Sequence, residues 1–299
     1  MRAALIDLGT NSVRLHILER TPSGALKRVF QRKEMIQLGV GLFTSGDFTE
    51  EAKERALAVF REFRHELKYF NVSLTKAVAT CAMREARSGK ELRDEIEKET
   101  GIALQIISGE AEAEYISRGI LNAFAPFEEK TLLVDIGGGS TELSYVLGEE
   151  VLHASSTPLG AVRCQEVTLR SIPATAEAEE ELRAIVRTEL LESVPEEVRG
   201  NTLKLIGSSG SIRAIVRLIR QTDTLEQSCS TKELDTFVAS LRNRSLEELL
   251  ARPQLEPKRG KIIFAAAVIL DEIANTLGIE ELRAVPLGLK DGLLVSLRG

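Results

Sequence analysis

The decapeptide Val134–Leu143, VDIGGGSTEL, holds the densest set of chemically useful groups in the chain. Three consecutive glycines leave a bare backbone whose amides can approach a bound anion closely. Asp135 and Glu142 place one carboxylate on each side of the glycines, and Ser140 and Thr141 add two hydroxyls. Open amides, hydroxyls and carboxylates in one short stretch predict a phosphate site.

A second stretch, nearer the N-terminus, repeats this layout. The sequence AALIDLGTNSVRLHILE gives an apolar run that includes Asp7, then a short turn, then a run in which apolar residues alternate. Such a pattern predicts strand, tight turn, strand. The sequence TLLVDIGGGSTELSYVL has the same layout, with its aspartate at Asp135. We therefore predict an internal duplication whose two copies begin at Asp7 and Asp135.

The tips of the two predicted hairpins would carry the phosphate donors. Glycine amides at the second tip can converge on an oxyanion because no Cβ blocks the approach. Two such tips facing each other across a cleft would clamp a phosphate chain from both sides. The predicted donors are Gly137, Gly138, Gly139, Ser140 and Thr141 at the second tip, and Thr10, Asn11 and Ser12 at the first.

The residues that follow the glycines exclude the commoner phosphate loops. A dinucleotide fingerprint or a P-loop runs from a strand into a helix. Here Leu143, Tyr145 and Leu147 alternate with period two, which predicts a second strand and hence a hairpin tip. The chain also lacks the Gly-Lys-Ser/Thr signature at this position.

Between and after the duplicated units, strands alternate with helices. The stretch Thr49–Phe70 predicts a long amphipathic helix, and Gly109–Phe124 predicts a helix with an acidic first turn. Ala125–Thr131 reads as a hinge, and Pro257–Gly278 reads as one long helix. Alternation of this kind predicts an α/β fold.

Composition limits the classes of partner. The net charge is −6, which argues against a general nucleic-acid-binding surface. Its three cysteines are widely spaced and form no Cys-x-x-Cys motif, which predicts free thiols in the reducing cytoplasm. The N-terminus does not read as a signal peptide, and the apolar run Ile262–Leu270 is too short to span a membrane.

Seven blocks in order give the chain a family resemblance. The hairpin pattern resembles the superfamily of actin, sugar kinases and chaperone ATPases. Within that superfamily the chain looks like the exopolyphosphatase / guanosine pentaphosphate phosphohydrolase family, and its length resembles the short, two-domain members. The blocks are DLGTNSVRL, ATCAMREA, ISGEAEAEY, DIGGGSTEL, PLGAVR, IGSSGSIRAI and GLKDGLL.

The resemblance implies a fold and a domain division. The expected fold is α/β, with duplicated actin-like ATPase (ribonuclease H-like) domains and a cleft between them that holds the active site. The expected N-terminal domain covers residues 1–125 and the C-terminal domain covers residues 126–287. The terminal helix, residues 288–299, is expected to pack back onto the first domain.

The resemblance also implies roles for individual side chains. Glu112, in the block ISGEAEAEY, would be the general base that deprotonates the attacking water. Arg84, in the block ATCAMREA, would bind phosphate and stabilise transition-state charge. Arg14 is a weaker phosphate candidate, because it can also pair within its own strand. The family usually has an acid at position 111, whereas this chain has Ala111.

Metal and loop residues follow from the same resemblance. Mg²⁺ or Mn²⁺ would be held by Asp135 and Glu142, with Asp7 as a weaker ligand, because phosphoryl transfer needs a divalent cation. A monovalent cation is a further option. The loop IGSSGS would close over the phosphate tail or a nucleoside, and its candidate residues are Gly207, Ser208, Ser209 and Gly210.

The expected function is metal-dependent hydrolysis of the terminal phosphate of inorganic polyphosphate in the cytoplasm. Guanosine pentaphosphate, a stringent-response nucleotide, is the second expected substrate. A homodimer is allowed by the resemblance, whereas nucleic acid and membrane are not expected partners. Two rivals are a small-molecule kinase of the same superfamily and a non-catalytic polyphosphate or alarmone sensor.

Overall fold

The computed structural model of the chain describes residues 1–22, 24–199, 204–222 and 227–297. Its strands are β1 (Arg2–Leu8), β2 (Val13–Arg20), β3 (Leu26–Glu34), β4 (Leu74–Ala79), β5 (Leu104–Ile106), β6 (Phe127–Ile136), β7 (Thr141–Gly148), β8 (Glu150–Thr157), β9 (Lys204–Gly207), β10 (Gln227–Ser230) and β11 (Glu281–Ala284). Its helices are α1 (Leu42–Ser45), α2 (Glu50–Tyr69), α3 (Cys81–Glu85), α4 (Gly89–Thr100), α5 (Gly109–Phe124), α6 (Ala161–Cys164), α7 (Ala176–Ser193), α8 (Glu196–Arg199), α9 (Gly210–Arg220), α10 (Thr231–Leu241), α11 (Leu246–Leu250), α12 (Ile263–Leu277) and α13 (Leu289–Val295). The predicted α/β class is confirmed.

Contacts divide the chain into two compact units. The first contains Met1–Ser108 and the last residues from Ser296, and the second contains Gly109–Val295. Helix α5 contacts β7, β8 and α13, all of which lie in the second unit. The predicted boundary between residues 125 and 126 stays a prediction, as does the packing of the predicted terminal helix, whose residues 298 and 299 lie outside the described residues.

The first unit is built on a five-stranded sheet with the order β3-β2-β1-β4-β5. Strands β1, β2 and β3 are antiparallel neighbours, and β4 and β5 continue the sheet in parallel. Helix α2 buries Leu57, Phe60 and Phe63 in the core of this unit. Its start is fixed by the N-cap residue Thr49, whose side chain accepts a hydrogen bond from the Ala52 amide.

The second unit repeats this topology with one added strand. Its sheet has the order β10-β11-β9-β6-β7-β8. Strands β6, β7 and β8 are antiparallel neighbours, whereas β9 and β11 are parallel additions, as β4 and β5 are in the first unit. The predicted duplication is therefore present in the order and direction of five strands in each sheet. Part of the predicted strand TLKLIG, residues 202 and 203, lies outside the described residues.

An ion-pair network connects three helices of the second unit. Arg183 of α7 donates to Asp271 and Glu272 of α12 at 2.8 and 3.0 Å, and its side chain is 11% exposed. Glu179 of α7 accepts from Arg242, which follows α10, at 2.7 Å. These charges are paired across helices, as buried charges need to be.

Two local predictions from the sequence are wrong. The expected single helix Pro257–Gly278 is a 3-10 turn, Pro257–Arg259, followed by α12, which begins only at Ile263. The expected hinge Ala125–Thr131 is mostly strand, because β6 begins at Phe127. In both places packing against a neighbouring sheet or helix determines the backbone conformation. Local amino-acid composition does not predict such packing.

Candidate active site

The second hairpin tip, Gly137–Ser140, joins β6 to β7. Asp135 is the register partner of Glu142, so the two carboxylates share one face of the sheet. The Gly137 amide donates to the Ser140 carbonyl at 2.9 Å and closes the tip. The predicted strand–turn–strand is therefore observed, and it places both carboxylates beside the glycines.

Every glycine carbonyl of the second tip is held from one side. The donors belong to the segment Ala161–Arg163, which follows β8 and which we call the carbonyl clamp. Its bonds to the tip are Ala161 N to Gly137 O at 3.0 Å, Val162 N to Gly138 O at 2.8 Å, Arg163 N to Gly138 O at 3.1 Å and Arg163 Nε to Gly139 O at 2.7 Å.

The clamp determines where the amides of the tip point. In a planar trans peptide the carbonyl and the following N–H point in opposite directions. Holding the carbonyls of Gly137–Gly139 therefore aims the amides of Gly138, Gly139 and Ser140 away from the clamp. Within the described part of the chain none of these three amides has a hydrogen-bond acceptor. They form an oriented group of donors suited to an anion.

Both carboxylates beside the second tip are fixed by serine hydroxyls. Ser140 and Ser156 donate to Glu142 Oε1 at 2.7 and 2.8 Å, and Glu142 is 3% exposed. Ser208 donates to Asp135 Oδ2 at 2.6 Å. The hydroxyls of Ser140 and Ser208, predicted as phosphate donors, are thus used on these carboxylates.

The fit to a divalent cation rests on this donor set. Mg²⁺ takes oxygen ligands and usually keeps several waters, so two fixed carboxylates are a sufficient protein contribution. Hydroxyls that fix a carboxylate ligand are a common feature of metal sites. Across the residues that the structure describes, no cluster of three or more His, Cys, Asp or Glu side chains could hold a metal.

The IGSSGS loop lies against the same region. Ser209 is the N-cap of α9 and accepts from the Ile212 amide at 3.0 Å. Gly207 and Gly210 are closely packed: a Cβ on Gly207 would lie 2.4 Å from Ile212 Cγ2, and one on Gly210 would lie 2.4 Å from Arg259 Nη2. The roles of these loop residues in phosphate binding stay predictions.

Thr141 has a contact that the sequence could not reveal. The residue is fully buried, and its hydroxyl donates to the carbonyl of Leu159, just before the clamp. Its hydroxyl proton is therefore already used inside the second unit. Gly160, which follows Leu159, packs directly against the tip. A Cβ atom at position 160 would lie only 2.3 Å from the Gly138 oxygen and from the Gly139 Cα, so only glycine fits there.

Glu112 lies in the first turn of α5, in the same unit as the second tip. It is 9% exposed, although its neighbour Glu114 is exposed and pairs with Arg118 at 3.3 Å. Helix α5 packs on β7 and β8. A carboxylate kept out of bulk water is the kind of group that can act as a general base, so the predicted role fits the position.

The first hairpin tip, Gly9–Ser12, has the same backbone arrangement within its own unit. The Gly9 amide donates to the Ser12 carbonyl at 3.0 Å. The loop after β3 then holds the tip carbonyls, with Gly39 N to Thr10 O at 2.8 Å and Gln37 N to Asn11 O at 3.0 Å. The amides of Asn11 and Ser12 point away from that loop for the reason given for the second tip.

The charges beside the first tip differ from those beside the second. Asp7 is the register partner of Arg14, and the two side chains approach to 3.9 Å. Arg14 of β2 therefore has its charge partner on the neighbouring strand β1, whereas the sequence suggested a partner within its own strand. The position occupied by an acid, Glu142, in one hairpin is occupied by a base in the other.

Arg84 and its surroundings are also fixed within the first unit. Arg84 Nη1 donates to the carbonyl of Ile107 at 3.0 Å, just before Ser108. Nearby, Ser88 donates to Asp47 through its hydroxyl at 2.5 Å and its amide at 3.1 Å, which lowers the pKa of Asp47 below its ordinary value. These bonds hold helix α3, which carries Arg84, and the connection from α3 to α4.

Sequence reasoning missed four residues that support the tips. They share no side-chain chemistry, but each contacts a tip or its carboxylate. One signal was available, since a Leu-Gly pair occurs after the third strand in both units. The residues are Gly39, Ser156, Gly160 and Arg163.

The structure is thus a duplicated α/β fold in which each unit carries a hairpin tip whose carbonyls are held by the loop after its third strand. A family model described as the Ppx/GppA phosphatase family matches residues 17–299. The chain therefore belongs to the Ppx/GppA phosphatase family.

Individual relatives agree along the whole chain. Exopolyphosphatase 2 of Mycobacterium tuberculosis is 29% identical over 321 residues, which cover 100% of this chain and 99% of that protein. An exopolyphosphatase from Cytophaga hutchinsonii superposes with a TM-score of 0.91 at 26% identity, covering 100% and 98% of the two chains. The Aquifex aeolicus Ppx/GppA protein gives 0.82 at 27% identity, covering 99% and 97%. The predicted family and fold class are confirmed.

Among the described residues, no helix is both long enough and apolar enough to cross a bilayer.

Proposed function

We propose that this chain is an exopolyphosphatase, a phosphoanhydride hydrolase that removes the terminal phosphate of inorganic polyphosphate. Family membership and curated relatives with that name support the proposal. The observation that carries it is the second tip, whose three clamped carbonyls leave three amides aimed at an anion. Because the net charge is −6, anion binding depends on such local donors.

The reaction is a substitution at the terminal phosphorus. A water oxygen forms a bond to that phosphorus while the bond to the bridging oxygen breaks. The products are orthophosphate and a chain shorter by one phosphate. Glu112 accepts the proton of the attacking water, and the leaving oxygen carries the electron pair of the broken bond.

The amides of the second tip bind the oxygens of the terminal phosphoryl group. Their value is greatest in the transition state, where charge on these oxygens develops and pre-oriented donors cost no reorganisation. In the first unit Arg84 donates from Nη1 to Ile107 O, which orients its guanidinium. We assign Arg84, Arg14 and the first tip (Thr10, Asn11 and Ser12) to further phosphate oxygens.

Asp135 and Glu142 would hold a Mg²⁺ ion, or Mn²⁺ with the same oxygen donors. When bound, the cation offsets the charge on the phosphate oxygens and on the leaving group. The pinned carboxylates support this assignment, because Ser208, Ser140 and Ser156 fix one oxygen of each. We include a monovalent cation as a second cofactor in this proposal.

Guanosine pentaphosphate is the second candidate substrate. The family description covers both a Ppx and a GppA branch, and the terminal phosphoanhydride is chemically the same. The kinase rival would need an acceptor other than water, and the sensor rival would bind without releasing phosphate. Both rivals predict no orthophosphate from polyphosphate alone.

The proposal is tested by orthophosphate release from medium-chain polyphosphate with Mg²⁺. Wild type should release phosphate, and EDTA should abolish the release. Glu112→Gln should bind polyphosphate but lose at least about 100-fold in turnover. Glu114→Gln is the matched control, since it makes the same change on an exposed face of α5 and should keep wild-type turnover. Near-normal turnover in Glu112→Gln would refute the role of Glu112 as the general base.

A further inference from the structure

Arg163 differs from the other donors of the carbonyl clamp. Ala161 and Val162 hold the tip through backbone amides, which every residue except proline supplies. Gly139 O instead accepts from the Arg163 side chain at 2.7 Å. The orientation of the Gly139 carbonyl therefore depends on the side chain at position 163.

The consequence falls on the amide of Ser140. The Gly139 carbonyl and the Ser140 N–H belong to one planar peptide and point in opposite directions. A guanidinium that fixes the carbonyl therefore fixes the N–H as well. Glycine at position 139 offers no Cβ to restrict its own rotation, so the constraint must come from outside the tip.

The first tip offers a comparison within the same chain. There the carbonyls of Thr10 and Asn11 are held by the amides of Gly39 and Gln37. Within the described chain, the first-tip carbonyls accept no side-chain hydrogen bond. The guanidinium clamp is therefore specific to the second tip, which is also the tip with three adjacent glycines.

We infer that Arg163 is a positioning residue for phosphoryl transfer, which acts by aiming the Ser140 amide at the terminal phosphate. The inference rests on the proposed function. Arg163 acts here through the tip, because its Nε holds Gly139 O and its own amide holds Gly138 O; direct binding of phosphate through its Nη groups is the outcome that the binding readout below distinguishes. Its loss misdirects one donor and leaves the other two in place.

The kinetic test compares Arg163→Ala with Arg170→Ala. Arg170 is the matched control, because its Nε also donates to a carbonyl, that of Val167 at 2.7 Å, at an exposed position away from the tip. We expect Arg163→Ala to lower kcat for phosphate release by about 10- to 100-fold, somewhat less than loss of a whole oxyanion donor. KM should stay within about 3-fold, and added guanidinium ion should restore part of kcat. Arg170→Ala should match wild type.

A binding readout separates this inference from the proposed function. In Glu112→Gln protein, inorganic tripolyphosphate should shift the backbone amide resonances of Gly138, Gly139 and Ser140. With Arg163→Ala added, Gly138 and Gly139 should still shift, whereas Ser140 should not. This pattern can be read even if wild type releases no phosphate, and the two surviving shifts demonstrate that the variant is folded.

Two results would overturn the inference. A Ser140 shift that persists without Arg163 would mean that the guanidinium does not aim this amide. A raised KM with unchanged kcat, together with loss of all three shifts, would make Arg163 a direct ligand of the ground-state phosphate.

Discussion

At the scale of single residues, the two hairpins share a backbone and differ in charge. Asp7 lies opposite Arg14, whereas Asp135 lies opposite Glu142. The carboxylate of Asp7 forms an ion pair with Arg14 at 3.9 Å. Asp135 and Glu142, in contrast, are two carboxylates on one face of the sheet. Two carboxylates on one face repel each other unless a cation lies between them. This difference favours the second hairpin as the metal side and leaves Asp7 the weaker candidate.

The serine hydroxyls give the first prediction. Ser156→Ala removes one of the two hydroxyls that fix Glu142 Oε1. We expect the Mg²⁺ concentration for half-maximal phosphate release to rise by about 10- to 100-fold, as for other groups that orient metal ligands. Ser155→Ala is the control, because the buried Ser155 hydroxyl has no partner among the described residues and its removal should change little. Equal Mg²⁺ dependence in both variants would count against the metal assignment.

Cysteine chemistry gives a second prediction. Burial raises the pKa of Cys164 and of Cys229 to about 12, because the thiolate is poorly solvated there, and Cys81 is also buried. At about pH 8 the thiols of Cys164 and Cys229 stay protonated, and the thiolate is the reactive form; Cys81 is shielded by its burial. We expect no alkylation by iodoacetamide in the folded protein and three modified cysteines after denaturation, counted by mass spectrometry. Fast labelling of native protein at Cys164 or Cys229 would contradict these pKa values.

At the scale of elements, the ion pairs between α7 and α12 carry a stability prediction. Arg183→Met leaves Asp271 and Glu272 buried without their shared cation, which costs about 3–5 kcal/mol. Arg187→Met is the comparison one turn along the same helix: Arg187 also donates to Glu272 but is 40% exposed, and Glu272 keeps Arg183 in this variant, so the loss should be smaller, about 1 kcal/mol. Urea unfolding compares the two free energies, and equal losses would refute the network as a stabilising feature.

The same network predicts a pH dependence. Burial raises the pKa of Asp271 above its ordinary value of 3.8, and Arg183 opposes this. A carboxyl with a raised pKa binds its proton more tightly when folded, so its charge destabilises the fold at high pH and this cost disappears as pH falls through the folded pKa. The cost of Arg183→Met should therefore shrink between about pH 7 and about pH 4. A cost that grows on acidification would have the wrong sign.

Local sequence patterns were sufficient for the elements that carry the site. The hairpins at Asp7 and Asp135 and helix α5 depend on neighbours in sequence, and the structure contains all of them. The clamp was not predictable, because Arg163 reaches a tip 24 residues away. Helix α12 begins at Ile263 and not at Pro257 for a related reason: Gly260 packs against Leu250 of α11, a contact without a local signature.

At the scale of the whole molecule, duplication explains the general form of the chemistry. Each unit has three antiparallel strands, a tip after the first of them, and a loop after the third that holds the tip carbonyls. Such a unit prepares amides for an anion wherever it occurs. The second unit adds the residues to which the proposed function assigns hydrolysis: the carboxylates Asp135 and Glu142 beside its tip, and Glu112 on α5.

Orthophosphate release with Mg²⁺, measured on medium-chain polyphosphate and on guanosine pentaphosphate side by side, decides the substrate. We expect substantially faster release from polyphosphate, with orthophosphate and progressively shorter chains as products. Faster release from the pentaphosphate would move the assignment to the nucleotide. Tight binding of polyphosphate with release from neither substrate would contradict the account and favour a sensor.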